Sequence, residues 1–91
     1  MINNIKLKAE ELGFKPKNDI NFISKFRSWV FGNYDIQILP IYSYRIKKYS
    51  IVIFYNSNNL TKIKGFYDTK ESALLKGLYE VCLYLNTKNV A

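Results

Sequence analysis

Apolar residues near the start of the chain recur at the three- and four-residue spacing that is typical of a helix. Ile5, Ala9 and Leu12 follow this spacing and predict a helix over residues 4–12. Gly13 comes directly afterwards, where glycine is favoured because it enters the left-handed conformation without strain. We therefore expect the first helix to end there.

A second helix is predicted over residues 19–31. Pro16 separates it from the first, and Asn18 or Asp19 can cap its first turn. Its apolar positions are Phe22, Phe26, Trp29 and Val30. Gly32 follows these positions, and we expect it to end the second helix as Gly13 ends the first.

Three runs rich in β-branched and aromatic residues come next and predict strands over residues 34–44, 49–55 and 60–67. The segments RIKK and NSNN separate them and are turn-like. Pro40 cannot donate a ladder hydrogen bond, so the first strand should lie at a sheet edge or carry a bulge. The second run is apolar on both faces, which is typical of a central strand.

The last third of the chain predicts one long helix. Asp68 and Glu71 fit a capping box at its start. One apolar stripe follows, formed by Ala73, Leu74, Leu78, Val81, Cys82 and Leu85. Gly77 lies inside this helix, where glycine costs about 0.5–1 kcal/mol relative to alanine. We attribute it to close approach of the sheet or of another helix.

The element order α-α-β-β-β-α predicts an α+β fold, with a three-stranded antiparallel meander and helices mainly on one face. We expect a single domain over residues 1–91. Its parts are the N-terminal helix with a proline-containing link (1–17), the main core (18–85) and a frayed tail (86–91). The predicted structural core includes Trp29, Phe26, Ile51, Ile53, Gly77 and Leu78.

Charge narrows the class of partner. The sequence has 14 Lys and Arg against 7 Asp and Glu, a net charge of +7. Such an excess favours nucleic acid, a nucleoprotein or an acidic protein surface. An alternative is coding bias, because the abundant isoleucine, lysine, asparagine, tyrosine and phenylalanine all have AT-rich codons.

The compartment follows from cysteine usage and from the N-terminus. Cys82 is the single cysteine, so no disulfide can form within the chain and a reducing compartment is favoured. The segment MINNIKLKAEELGF lacks the continuous apolar core of a signal peptide. No stretch has the length of a transmembrane helix. The sequence thus predicts a cytoplasmic protein without a membrane partner.

Catalytic chemistry is poorly represented. The chain has no histidine, which removes the commonest general base and metal ligand. Cys82 lies on the apolar stripe of the last helix, where a core thiol is expected. The carboxylates are scattered, and no glycine-rich phosphate loop is present. We expect no enzymatic activity, no cofactor, no metal site and no small-molecule substrate.

Six residues are candidates for binding a partner or nucleic acid: Arg45, Lys47, Lys48, Tyr49, Lys62 and Lys64. The first three fall in the turn between strands one and two, whereas Lys62 and Lys64 share one face of strand three with Phe66. Lysines on an edge strand also guard against aggregation, which is the alternative interpretation.

The tyrosines and the outer sheet face leave further alternatives. Tyrosines 42, 44, 49 and 55 can stack bases, but tyrosine is also among the best strand formers. If Ile36, Ile38, Ile51, Ile53 and Ile63 point inward, the outward set includes Leu39, Ile41, Val52 and Phe54. An exposed apolar face of this kind indicates a protein partner or a homodimer, unless the first helix covers it.

The segments LGFKP, FRSWVFGNYDIQI and FYDTKESALLKGLYEVCLYL together resemble a family of small phage and prophage proteins. Trp29 matches the tryptophan of that family. The matches in the last helix are Tyr67, Thr69, Glu71, Ala73, Leu74, Gly77, Leu78 and Glu80. Two departures are Ser72, where a second acidic residue is usual, and the missing histidine after the tryptophan motif, with Tyr34 nearby.

Within this family the chain looks like an anti-CRISPR protein and is similar to type VI-B inhibitors. The resemblance implies stoichiometric binding to an RNA-guided nuclease or its guide RNA, without catalysis, in the cytoplasm of a bacterial host. Two alternatives stay open. One is an RNA- or DNA-binding module resembling the double-stranded RNA-binding fold. The other is a homodimeric interaction protein that uses the exposed sheet face.

Overall fold

The computed structural model describes residues 2–15, 21–56 and 59–90, with side chains as far as residue 87. Its elements are α1 (Ile2–Glu11), α2 (Phe22–Tyr34), β1 (Ile36–Ser43), β2 (Lys48–Tyr55), β3 (Asn59–Tyr67) and α3 (Lys70–Val90). This order confirms the predicted α+β class. The final helix runs to Val90.

The strands form one antiparallel sheet in the order β1-β2-β3. Central β2 and edge β1 confirm the sequence-based placement, and Pro40 lies opposite Ile51 on the edge strand. The carbonyl of Ile38 accepts hydrogen bonds from Arg27 of α2, from Nε at 3.0 Å and from Nη2 at 2.6 Å. The guanidinium therefore fixes α2 against the edge strand.

The helices pack on one face of the sheet. α2 and α3 contact the strands directly, whereas α1 packs on α3. The alternative in which the first helix covers the outer face is therefore wrong. The buried core includes Phe26, Ile51, Ile53 and Leu78, as predicted, and Trp29 is half-buried against it. We call the sheet face turned away from the helices the open face.

The ends of α2 differ from the prediction. Gly32 lies within the helix, which continues to Tyr34. Its last turn is closed by Asp35, whose N–H donates to the Phe31 carbonyl from a left-handed conformation (φ 55°). Aspartate enters this conformation more readily than most residues, so glycine is not required there. The predicted caps at positions 18 and 19 lie outside the described residues.

The start of α3 also needs a correction. The side chain of Thr69, not that of Asp68, caps the helix: its Oγ1 accepts the Ser72 N–H at 3.1 Å. The Ser72 hydroxyl lies 2.9 Å from the same oxygen. The predicted capping box of Asp68 and Glu71 is wrong because the helix begins one residue later than that box requires.

Candidate functional site

A four-residue turn, residues 44–47, joins β1 to β2 and carries exposed Arg45 and Lys47. Lys47 adopts a left-handed conformation (φ 56°) and donates its N–H to the Ser43 carbonyl at 2.8 Å. The side chain of Tyr44 is 85% exposed. We call residues 44–47 the basic turn. It presents two cations and an aromatic ring to solvent at one end of the sheet.

Tyr49 lies beside the basic turn, and its side chain is packed against neighbours more than it is exposed to solvent. It is half-buried against the core and lies opposite Tyr67 on β3. The Tyr42 ring lies between those of Tyr49 and Tyr44, at 4.9 Å from each centroid. Of the tyrosines in this cluster, Tyr44 has the ring most available for stacking, although Tyr49 was the sequence-based candidate.

Lys48 forms an ion pair that the sequence did not indicate. Its Nζ donates to Oδ1 of Asp68, in the link between β3 and α3. This hydrogen bond, with the positive charge of Lys48, lowers the pKa of Asp68 below its ordinary value of 3.8. The positive charge of Lys48 is therefore offset by a neighbouring carboxylate. Neither Arg45 nor Lys47 forms an ion pair within the described residues.

Replacing Lys48 with methionine should return the pKa of Asp68 towards 3.8. Because the pKa is lowered in the folded chain, the pair stabilises the fold above that value, and the contribution is lost as pH falls through the folded pKa. An NMR titration of the carboxyl carbon measures this change. Lys76→Met, which removes a pair with Glu80 instead, should leave Asp68 unchanged. An unmoved pKa in Lys48→Met would contradict the pairing.

Lys62 and Lys64 lie apart from the basic turn, on exposed positions of β3. Lys62 is opposite Val52, and both point to the open face. Gly65 follows with φ +113°, a conformation that strains other residues, at an irregularity where β3 has two more residues than β2. The structure thus divides the six candidates between the end of the sheet and the side of β3.

The first turns of all three helices surround one surface cavity of about 590 Å³. Ile2 opens α1, Phe22 opens α2 and Lys70 opens α3. Because Asp68 bonds to Lys48, the basic turn and the start of α3 belong to the same end of the molecule. Helix N-termini carry a partial positive charge, so their fields add to those of the basic side chains.

Sequence reasoning did not select Arg27 or Lys70, which both line this cavity. Arg27 was overlooked because it lies on a helix whose apolar positions dominated the pattern. Lys70 stands directly after the turn-like end of β3, and its position as the first helical residue was the available signal. Glu71 lines the same cavity and offsets part of the positive charge.

The described residues offer little for catalysis. They include no group of three or more potential metal ligands, and none of their helices is long and apolar enough to cross a membrane. Cys82 is buried, and burial raises the pKa of its thiol to about 11. Such a thiol stays protonated at neutral pH and is a poor nucleophile.

Comparison with known proteins gave no assignment. No family model, curated protein or solved structure matches the chain. Any function therefore rests on the residues and on the geometry of the surfaces described above.

Proposed function

We propose that this chain is a non-enzymatic inhibitor that binds an RNA-guided nuclease complex, with the basic turn directed at RNA phosphates. The proposal joins the resemblance to type VI-B anti-CRISPR proteins with the position of one group of side chains. Arg45 and Lys47 are exposed beside Tyr44, at the end where the helices begin. Arginine and lysine bind phosphate, and an exposed tyrosine ring can stack on a base.

The exposed, unpaired cations of the basic turn are the observation that carries this proposal. Within the described residues, no carboxylate forms an ion pair with Arg45 or Lys47. The helix starts add positive potential at the same end. An RNA strand that the nuclease already holds is ordered before the inhibitor binds. Its closely spaced phosphates can therefore meet the basic turn without a further loss of RNA conformational entropy.

A second candidate function follows from topology. The order α2-β1-β2-β3-α3, with both helices on one face, is similar to the double-stranded RNA-binding fold. That fold reads the shape of A-form duplexes through 2′-hydroxyl and phosphate contacts. The basic turn and Lys70 then become the expected phosphate contacts, because they belong to the same end. A module of this type would bind duplex RNA without any protein partner.

Co-elution in gel filtration tests the first proposal. A type VI-B nuclease, with and without guide RNA, is mixed with the wild-type chain and with an Arg45→Glu/Lys47→Glu variant. We expect the wild type to co-elute with the guide-loaded nuclease. The variant should bind about tenfold or more weakly, because two phosphate contacts are replaced by repulsion. Lys15→Glu reverses the charge of an exposed lysine beyond the C-terminal end of α1 and should bind like wild type.

Binding to free RNA distinguishes the second candidate function from the first. Tight binding to a 20-base-pair RNA duplex, falling steeply as salt rises, indicates a duplex-binding module, since counterions are released on binding. If the chain co-elutes with neither form of the nuclease, the inhibitor proposal is wrong for that nuclease class. If it binds the nuclease without guide RNA and the charge-reversal variant binds equally well, the basic turn is not the contact.

A further inference from the structure

The two edges of the sheet differ. Residues two apart on a strand direct their backbone N–H and C=O groups to the same side. Ile38 and Pro40 form such a pair on β1. The Ile38 carbonyl is occupied by Arg27, and Pro40 has no N–H. At these two positions the β1 edge therefore lacks a free acceptor at Ile38 and a donor at Pro40, which disfavours pairing with a fourth strand.

The β3 edge offers both kinds of group. Ile51 lies opposite Pro40 on one side and Ile63 on the other. Because the Ile38 carbonyl faces Arg27 and not β2, the backbone groups of Pro40 also face away from β2. Those of Ile51, opposite Pro40, therefore face β3 and meet those of Ile63. Alternation then directs the groups of Lys62 and Leu60 away from β2. Within the described residues no strand lies beyond β3.

Side chains beside this edge combine apolar and cationic surface. Leu60 is 60% exposed and Phe66 is 61% exposed. Lys62, Lys64 and Phe66 line one surface pocket together with Ser50 of β2. Such exposed apolar groups next to an unpaired strand edge are typical of sites that receive another strand.

The charge of the strands indicates which kind of chain can pair with the β3 edge. The three strands contain lysines at positions 48, 62 and 64 and no aspartate or glutamate. Two copies pairing edge to edge along β3 would bring these lysines together, and each chain carries +7. Like charges on neighbouring strands are destabilising. An extended segment with carboxylates between apolar residues instead places opposite charges beside Lys62 and Lys64.

We propose that the β3 edge, residues 59–64, binds an extended acidic segment of a partner protein as a fourth strand. Backbone hydrogen bonds at Leu60 and Lys62 hold the segment, and its carboxylates lie beside Lys62 and Lys64. Its apolar side chains alternate with these carboxylates and lie on the opposite face of the sheet, beside Ile63. The irregularity at Gly65 limits the paired length to about six residues. This proposal does not depend on the function of the basic turn.

The test uses an end-blocked hexapeptide of alternating glutamate and valine, added to the ¹⁵N-labelled chain and followed by NMR. We expect amide shifts confined to β3 and the adjoining part of β2. Amide hydrogen exchange at Leu60 and Lys62 should slow, because an outward N–H gains an acceptor. A hexapeptide of alternating lysine and valine, and a glutamate–valine peptide N-methylated at alternate residues, should bind at least about tenfold more weakly.

Variants separate the roles of charge and backbone. Lys62→Glu/Lys64→Glu should bind the acidic peptide about tenfold more weakly, whereas Lys15→Glu/Lys25→Glu should not. Equal binding of the N-methylated peptide, or shifts centred on the helices, would overturn the proposal. So would a wild-type chain that dimerises in sedimentation, since a second copy would then hold the edge. A single-stranded RNA that displaces the peptide without protecting the amides would also count against it.

Discussion

Replacing Phe26 with alanine is expected to lower the free energy of unfolding by about 3–5 kcal/mol. The Phe26 ring is fully buried and lies 5.1 Å from Phe14, 5.6 Å from Phe22 and 5.9 Å from Trp29, centroid to centroid. Its removal leaves a cavity at the place where α2 packs against the link that follows α1. A domain of this size is stable by about 5–14 kcal/mol in total, so the variant loses a large share of it.

Urea denaturation followed by circular dichroism measures this loss. Phe31→Ala is the matched control, because Phe31 lies on the same helix with 54% of its side chain exposed. We expect that control to change the free energy of unfolding by about 0.5 kcal/mol or less. Similar losses in both variants would mean that Phe26 does not hold the packing of α2, contrary to the structure.

Replacing Gly77 with alanine should destabilise the chain, although alanine is the better helix former. A Cβ atom at this position would lie 2.7 Å from Cγ2 of Ile38 and 3.0 Å from Cγ1 of Ile51. Both contacts involve stiff β-branched side chains in the sheet, which cannot turn aside. Overpacking costs about 1–3 kcal/mol and outweighs the gain in helix propensity of about 0.5–1 kcal/mol.

Gly32→Ala is the opposite case and serves as control. Gly32 lies inside α2, and nothing is within 4 Å of a Cβ built on it. We expect this variant to be more stable than wild type by up to about 1 kcal/mol. The two glycine variants should therefore shift the urea midpoint in opposite directions. A stabilised Gly77→Ala would show that α3 does not approach the sheet this closely.

The fold was predictable because its elements have strong periodic signals. The stripe on α3 and the isoleucines of the three strands identify their buried faces without further information. Gly77 could even be interpreted as a close contact with the sheet or another helix, since a glycine in a helix interior needs a reason. In the structure Gly77 lies against the sheet, where its nearest neighbours are Ile38 and Ile51.

The ends of the helices were harder to predict because several residue types can fill the same capping role. Gly32 matched the pattern of a helix-ending glycine, yet Asp35 takes the left-handed position three residues later. Asp68 matched an N-cap, yet Thr69 does the capping and Asp68 pairs with Lys48. Sequence spacing gives the candidates for such roles. The choice among them depends on contacts between residues distant in sequence.

The candidate site illustrates the same limit. The sequence indicated the exposed cations Arg45 and Lys47 because a turn between strands projects its side chains into solvent. It could not show that Tyr49 is half-buried, since that depends on Tyr67 opposite and on Tyr42 beside it. It also could not show that the three helices begin at one end of the molecule, because helix direction follows from the packing of α1 on α3.

The bond from Arg27 to the Ile38 carbonyl has a consequence for fibre formation. A fibril needs each chain to pair on both sides, so that the sheet can extend without limit. With Pro40 and the occupied carbonyl on β1, extension of the sheet is favoured at β3. Chains that pair there stop at two. Replacing Arg27 would free the Ile38 carbonyl and leave the missing N–H of Pro40 as the remaining obstacle to strand pairing at that edge.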